Sequence, residues 1–175
     1  MKRVAKILGT SVVAYSAFVY SQYSNTPPPK DEPIPQPEPD FGVSKRFFRH
    51  GSKLIPHASK RQKGGEDAYV ADSNILVVAD GVGGWANQGV DPGLFSKGLV
   101  WDIHRLHSEN NARELKNILV SAVKNNEKNI GSSTAVLAKF DTTRHDILKT
   151  TNLGDSGYVL FRPREDGTLE KLFRS

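Results

Sequence analysis

The chain has 175 residues, about one domain's worth, and that is enough to bury a real core. It contains no cysteine, which excludes a disulfide framework, a thiolate metal site and a cysteine nucleophile. The formal net charge of +5 does not mark a nucleic-acid partner, because residues 1–30 hold Lys2, Arg3, Lys6 and Lys30 and no acid, leaving 20 basic against 19 acidic residues in the rest.

Residues 1–26 read as a mitochondrial presequence or membrane anchor. Lys2, Arg3 and Lys6 precede a mainly apolar stretch at 7–20 that includes Thr10, Ser11 and Ser16. An acid-free, hydroxylated segment with early positive charge is the composition of a mitochondrial presequence, and a secretory signal shares its basic start. The apolar stretch falls short of the roughly 20 residues of a spanning helix. It fits membrane contact through residues 7–20, in the matrix or at the inner membrane, with a secretory or other membrane route as the alternative. Residues 27–40 form a proline-rich linker, with seven prolines in the thirteen residues 27–39. Such a run makes a semi-rigid polyproline spacer.

The folded part is expected over 41–175. Residues 41–65 hold Lys45, Arg46, Arg49, Lys53, Lys60, Arg61 and Lys63 and no acid, with Phe47, Phe48, Leu54 and Ile55 interleaved. One reading is a first strand with a solvated basic face. The other is a cationic wall for phosphate, made by Lys60, Arg61 and Lys63, which run into Gly64-Gly65-Glu66-Asp67. A strand starting at Glu66-Asp67 sends the two carboxylates to opposite faces, so at most one of them faces a given ion directly.

Ile75, Leu76, Val77, Val78 and Ala79 then read as a buried strand ending on Asp80. Gly81, Gly83 and Gly84 follow, and glycines let a backbone take positive φ and come close to a ligand. A carboxylate fixed by a strand beside a bare backbone suits a hard cation, which takes carboxylate and carbonyl oxygens. Two other readings compete. Asp-Gly is a common turn pair. Gly81, Gly83 and Ala86 also fit a dinucleotide fingerprint, but that motif needs a helix beginning inside the glycines. Here Asn87-Gln88-Gly89 and Asp91-Pro92-Gly93 are loop chemistry, and the helix starts most naturally near Pro92.

Phe95, Leu99, Ile103 and Leu106 predict a helix over 93–107, and Leu115, Ile118, Leu119, Ala122 and Val123 predict another over 111–128. His104 and His107 have a metal-compatible spacing but no third ligand near them, so they read as surface histidines. Strands follow at 133–140, 146–153, 158–161 and 169–173. The short turns between them mean hairpins and an antiparallel sheet, in an α+β fold. Gly154-Asp155-Ser156-Gly157 matches the tetrad around a trypsin-like nucleophile, but no base is identifiable to complete that triad.

Four blocks in order resemble the PP2C family of metal-dependent protein phosphatases: GEDAY at 65–69, VVADGVGGW at 77–85, GSSTAVL at 131–137 and NLGDSGYVLFR at 152–162. Trp85 and the QGVDPGLFS that follows resemble the mitochondrial branch linked to coenzyme Q biosynthesis. The resemblance implies a sandwich of two antiparallel sheets flanked by helices and a protein serine/threonine phosphatase with two Mn²⁺ or Mg²⁺ ions per complete site. Its substrate would be a phosphoprotein, with a coenzyme Q biosynthesis protein as the one the branch points to. Asp80 resembles the carboxylate that bridges the metals, Gly81 the carbonyl donor, and Glu66 the outer carboxylate of the same ion. Asp67 resembles the residue that orients the attacking water, and Asp155 the Asp of a further metal site. Lys63 or Arg61 would hold the phosphate. The family's second half supplies two more metal-binding Asp residues, and Asp166-Gly167-Thr168-Leu169 is not that block. The resemblance therefore implies a sandwich incomplete at the C-terminus, with Val136, Leu153, Val159 and Leu160 near a bare apolar surface. A catalytically inactive remnant acting as a binding module is the alternative function.

Overall fold

The apolar run that the sequence centres on becomes a central strand because both of its faces are covered. The computed structural model describes residues 46–175 and, before them, the backbone of three short strands, β1 (Arg3–Lys6), β2 (Ser11–Ala14) and β3 (Ala17–Tyr20). The later strands are β4 (Arg49–Ser52), β5 (Asp67–Ala71), β6 (Ile75–Asp80), β7 (Ala135–Phe140), β8 (Ile147–Leu153), β9 (Tyr158–Pro163) and β10 (Leu169–Arg174). Two helices, α1 (Pro92–Glu109) and α2 (Leu115–Asn125), lie between β6 and β7 in the chain. The strands form two antiparallel sheets, ordered β1-β8-β7-β6-β5 and β10-β9-β2-β3-β4. The sandwich with flanking helices is the architecture expected from the sequence.

Alternation along β6 divides the core. Ile75, Val77 and Ala79 face the helices and pack with Leu99 and Ile103 of α1 and Ile118 and Ala122 of α2. Leu76 faces the other way, toward Val136, Ala138, Phe140, Leu148, Leu160 and Phe48. Successive strand side chains point to opposite faces, and each large aliphatic side chain so buried contributes roughly 1.5–3 kcal/mol. The second sheet lies over this outer face, so most of the bare surface expected from the sequence is absent. Val136, Val159 and Leu160 are buried, and of the four named residues only Leu153 is exposed, at 47%.

α1 begins where Pro92 suggests. Asp91 caps it, its carboxylate accepting from Gly93 N at 3.0 Å. His107 corrects the surface reading. It is 4% exposed, because it stands one turn after Ile103 and shares that inward face. Burial, and then the charge of Lys139, pushes its imidazole below the usual histidine range. His104 is half-buried and pairs with Asp72, Nε2 to Oδ2 at 2.8 Å.

Lys139 occupies a helix-facing position on β7 and is 1% exposed. Its ammonium donates to the carbonyls of Asn111 and of Arg113, the latter at 2.6 Å, and so ties down the turn between the helices. Burial, followed by the charge of Lys149, lowers its pKa.

The backbones of β1, β2 and β3, within the stretch read as a leader, pair with β8, β9 and β4. The linker at 27–40 and Lys45 lie outside the described residues. Among the described residues no helix is long and apolar enough to cross a membrane.

Candidate functional site

Asp67 opens β5 and Asp80 ends β6, and the two are direct partners across the antiparallel ladder. Direct partners project to the same face. Both carboxylates accordingly line one open cleft of about 360 Å³, shared with Lys53, Tyr69, Val136 and Ser156. The two residues before β7 fasten the backbone of Asp80. Thr134 N and Ser133 Oγ each donate to the Asp80 carbonyl at 2.9 Å, and Asp80 N donates to Thr134 Oγ1 at 3.2 Å. The Asp80 carboxyl is pushed above the usual carboxylate range. Loss of solvation comes first, then a hydrogen bond with Asp67 and its charge, then the charges of Asp155 and Glu66. Like charges at close range favour the protonated form.

Glu66, in the bend just before β5, does not line this cleft. Its carboxylate pairs with the Lys60 ammonium, which comes from a 3-10 segment at Ala58–Lys63. Its carbonyl accepts from Gly81 N at 3.1 Å and from Ser96 Oγ at 2.5 Å. Gly81, Gly83 and Gly84 all lack positive φ, which corrects part of the sequence reading. What Gly81 and Gly83 supply is close approach. A Cβ on Gly81 would stand 2.7 Å from the carbonyl oxygens of both Glu66 and Pro92, and one on Gly83 would stand 3.0 Å from the Glu66 carboxylate. The glycines are followed by a second 3-10 segment, Gly83–Gln88, and α1 begins only at Pro92. No helix N-terminus sits inside the loop as a dinucleotide motif requires.

Arg61 and Lys63 are exposed on the 3-10 segment, and the Lys63 carbonyl accepts from Lys97 Nζ at 3.0 Å. Among the described residues, Lys60 pairs with Glu66 and Lys53 lines the cleft of Asp67 and Asp80. Lys60 belongs to the cationic wall expected from the sequence, whereas Lys53 was not singled out there. Lys53 was one of seven basic residues in its stretch, and only the fold over the Asp pair distinguishes it. Asp155 is exposed, in the loop between β8 and β9. It lines a neighbouring hollow with Asn152 and Arg174, and its charge reaches Asp80.

Among the described residues no group of three or more His, Asp or Glu side chains is gathered tightly enough to hold an ion. The donors that do converge are all oxygens: two carboxylates facing each other, with two more near enough to raise Asp80. Mg²⁺ is commonly held by one or two carboxylates, with waters and a substrate phosphate completing its shell. The Asp67–Asp80 pair fits that requirement.

No protein-family model matches the chain. It is 31% identical over 167 residues to the 5-azacytidine resistance protein azr1 of Schizosaccharomyces pombe, across 90% of this chain and 50% of that protein. It is 41% identical over 115 residues to "Probable protein phosphatase 2C 26" of Arabidopsis thaliana, across 64% of this chain and 38% of that protein. The X-ray structure of the photosystem II phosphatase PBCP matches with a TM-score of 0.60 and 32% identity, across 70% of this chain and 47% of that one. The chain thus spans half or less of the length of these relatives. Relatives and structural neighbour together support the PP2C-type protein phosphatase family for this chain, and its fold is PP2C-like.

Proposed function

We propose that the chain carries the metal-binding face of a protein serine/threonine phosphatase that hydrolyses phosphate monoesters on phosphoproteins. The observation that carries this reading is the Asp67–Asp80 register pair, opening on a cleft that also contains Lys53. Asp80 would hold Mn²⁺ or Mg²⁺ with the Gly81 carbonyl and Asp155, joined by Glu66 once its carboxylate turns from Lys60 toward the cleft, and Asp67, facing Asp80, would orient the attacking water. When bound, two such cations supply an activated water and neutralise the charge developing on phosphorus.

The chain's own groups have separable tasks. Asp80 is fixed through its backbone by β5 and by Ser133 and Thr134, so the strand end that carries its carboxylate is already in place. Lys60 holds the Glu66 carboxylate. Lys53 draws a phosphate dianion into the cleft, while Arg61 and Lys63, exposed nearby, add a longer-range attraction. Residues 1–26 support a mitochondrial location through their composition, and the Trp85-containing block supports a coenzyme Q biosynthesis protein as substrate.

A second reading, a non-catalytic binding module, draws on one observation: the described carboxylates do not close into a group of three. A generic aryl phosphate separates the two. Manganese-dependent hydrolysis abolished by Asp80→Asn supports the enzyme and sinks the module, and no turnover by the wild-type chain at any Mn²⁺ concentration overturns the enzyme reading.

A further inference from the structure

We infer that Thr134 is a positioning residue that locks the Asp80 strand end to the Asp155 loop, so that its hydroxyl sets how well the site takes a divalent cation. The inference rests on the metal-site reading above and names a residue that reading does not use.

Thr134 stands just before β7, between the two carboxylate-bearing segments. On one side its Oγ1 accepts from Asp80 N at 3.2 Å, while its own N–H donates to Asp80 O at 2.9 Å. On the other side the same Oγ1 lies 2.6 Å from Ser156 Oγ. One hydroxyl therefore touches the backbone of one acidic residue and the immediate neighbour of another. A hydroxyl has one donor and two acceptor lone pairs. Accepting from Asp80 N leaves the Thr134 proton or its second lone pair for Ser156.

The loop is gripped at two further points. Asn152 Nδ2 donates to Ser156 O at 2.7 Å. The Thr134 methyl lies against Gly154, whose φ is +88°, and a Cβ there would stand 2.9 Å from that methyl. The turn carrying Asp155 can pass this close only because residue 154 is glycine. Asp155 and Asp80 are already within electrostatic reach of each other, and like charges would drive two free segments apart. The Thr134–Ser156 contact opposes that separation. A cation bound between the segments then meets ligands already in place, and partners that orient metal ligands are commonly worth about 10–100-fold in metal affinity.

The test compares Thr134→Val, which keeps the methyl and the shape, with Thr134→Ser, which keeps only the hydroxyl. The probe is Mn²⁺ itself, titrated calorimetrically and by loss of its free-ion electron-paramagnetic signal into the full chain. We expect T134V to weaken Mn²⁺ binding about 10-fold or more, T134S to bind as the wild type does, and S156A to weaken it with no further loss in the T134V/S156A pair. If T134V does not fold, S156A alone carries the comparison. Wild-type binding with unaltered T134V and S156A overturns this inference and leaves the metal reading standing. T134S as weak as T134V also overturns it, because the methyl rather than the hydroxyl would then be at work. No Mn²⁺ binding by the wild-type chain overturns the metal reading, and this inference with it.

Discussion

Gly98 sits in the middle of α1, where alanine should be the better residue by about 1 kcal/mol. The packing around it reverses the sign. A Cβ at 98 would lie 2.2 Å from Asn126 Oδ1 and 2.7 Å from Asn129 Nδ2. Asn126 is 2% exposed and cannot simply swing into solvent. Its Nδ2 donates to Phe95 O at 2.9 Å, and its Oδ1 accepts from Asn129 Nδ2 at 2.7 Å. Displacing it gives up two hydrogen bonds worth about 1 kcal/mol each and adds roughly 1–3 kcal/mol of overpacking. After the helix gain, Gly98→Ala should destabilise the fold by about 2–4 kcal/mol. In urea unfolding followed by tryptophan fluorescence, with slopes of about 1–3 kcal/mol per molar, the midpoint should fall by roughly 1 M or more. On an Asn126→Ala/Asn129→Ala background both obstacles are gone, and adding Gly98→Ala should be neutral or stabilising. An unchanged or raised midpoint for Gly98→Ala in the otherwise native chain refutes the reasoning.

Gly81→Ala should cost about 1–3 kcal/mol, because its methyl meets two backbone oxygens that cannot rotate away, whereas Gly84→Ala enters open space; paired urea midpoints separate the two. Asp141 accepts from Thr143 N and Arg144 N at 2.8 Å each and pairs with Lys149, and the Lys149 hydrogen bond, followed by Arg144 N, holds its pKa well below the usual carboxylate range. Its stabilisation is therefore present above the unfolded value near 3.9 and lost as pH falls toward the lower folded one. Asp141→Ala should cost about 2 kcal/mol at pH 7, and the gap from wild type in acid titrations should close below about pH 4. Lys139→Met leaves the carbonyls of Asn111 and Arg113 without their donor and should cost about 1–3 kcal/mol in the same unfolding assay.

Both helices were legible because Leu99, Ile103 and Leu106, and Leu115, Ile118 and Ala122, keep helical spacing. The predicted start of the second at 111 was too early. Asn110 Oδ1 accepts from Ala112 N at 3.1 Å, and the buried Lys139 holds the carbonyls of Asn111 and Arg113. That contact comes from a strand far along the chain, and no local pattern announces it. The carboxylates of the site were legible one by one. Their grouping depends on the β5–β6 register, which brings Asp67 opposite Asp80 and sends Glu66 elsewhere. Lys60, Arg61 and Lys63 look equivalent in sequence, and the 3-10 geometry of their segment presents Lys60 to Glu66. His107 was misread because its polarity was weighed above its spacing, four residues after Ile103 on the apolar face that turns inward.

The buried Lys139 has a chemical consequence. Amine-acylating reagents need an accessible nitrogen, and this one is buried beneath the interhelical turn with its hydrogens on the carbonyls of Asn111 and Arg113. It should resist modification in the closed molecule and react readily once the turn lifts. Mass-spectrometric labelling at Lys139 over time would then count openings of the 110–114 segment, while exposed lysines such as Lys53 and Lys63 label at once and serve as the internal reference.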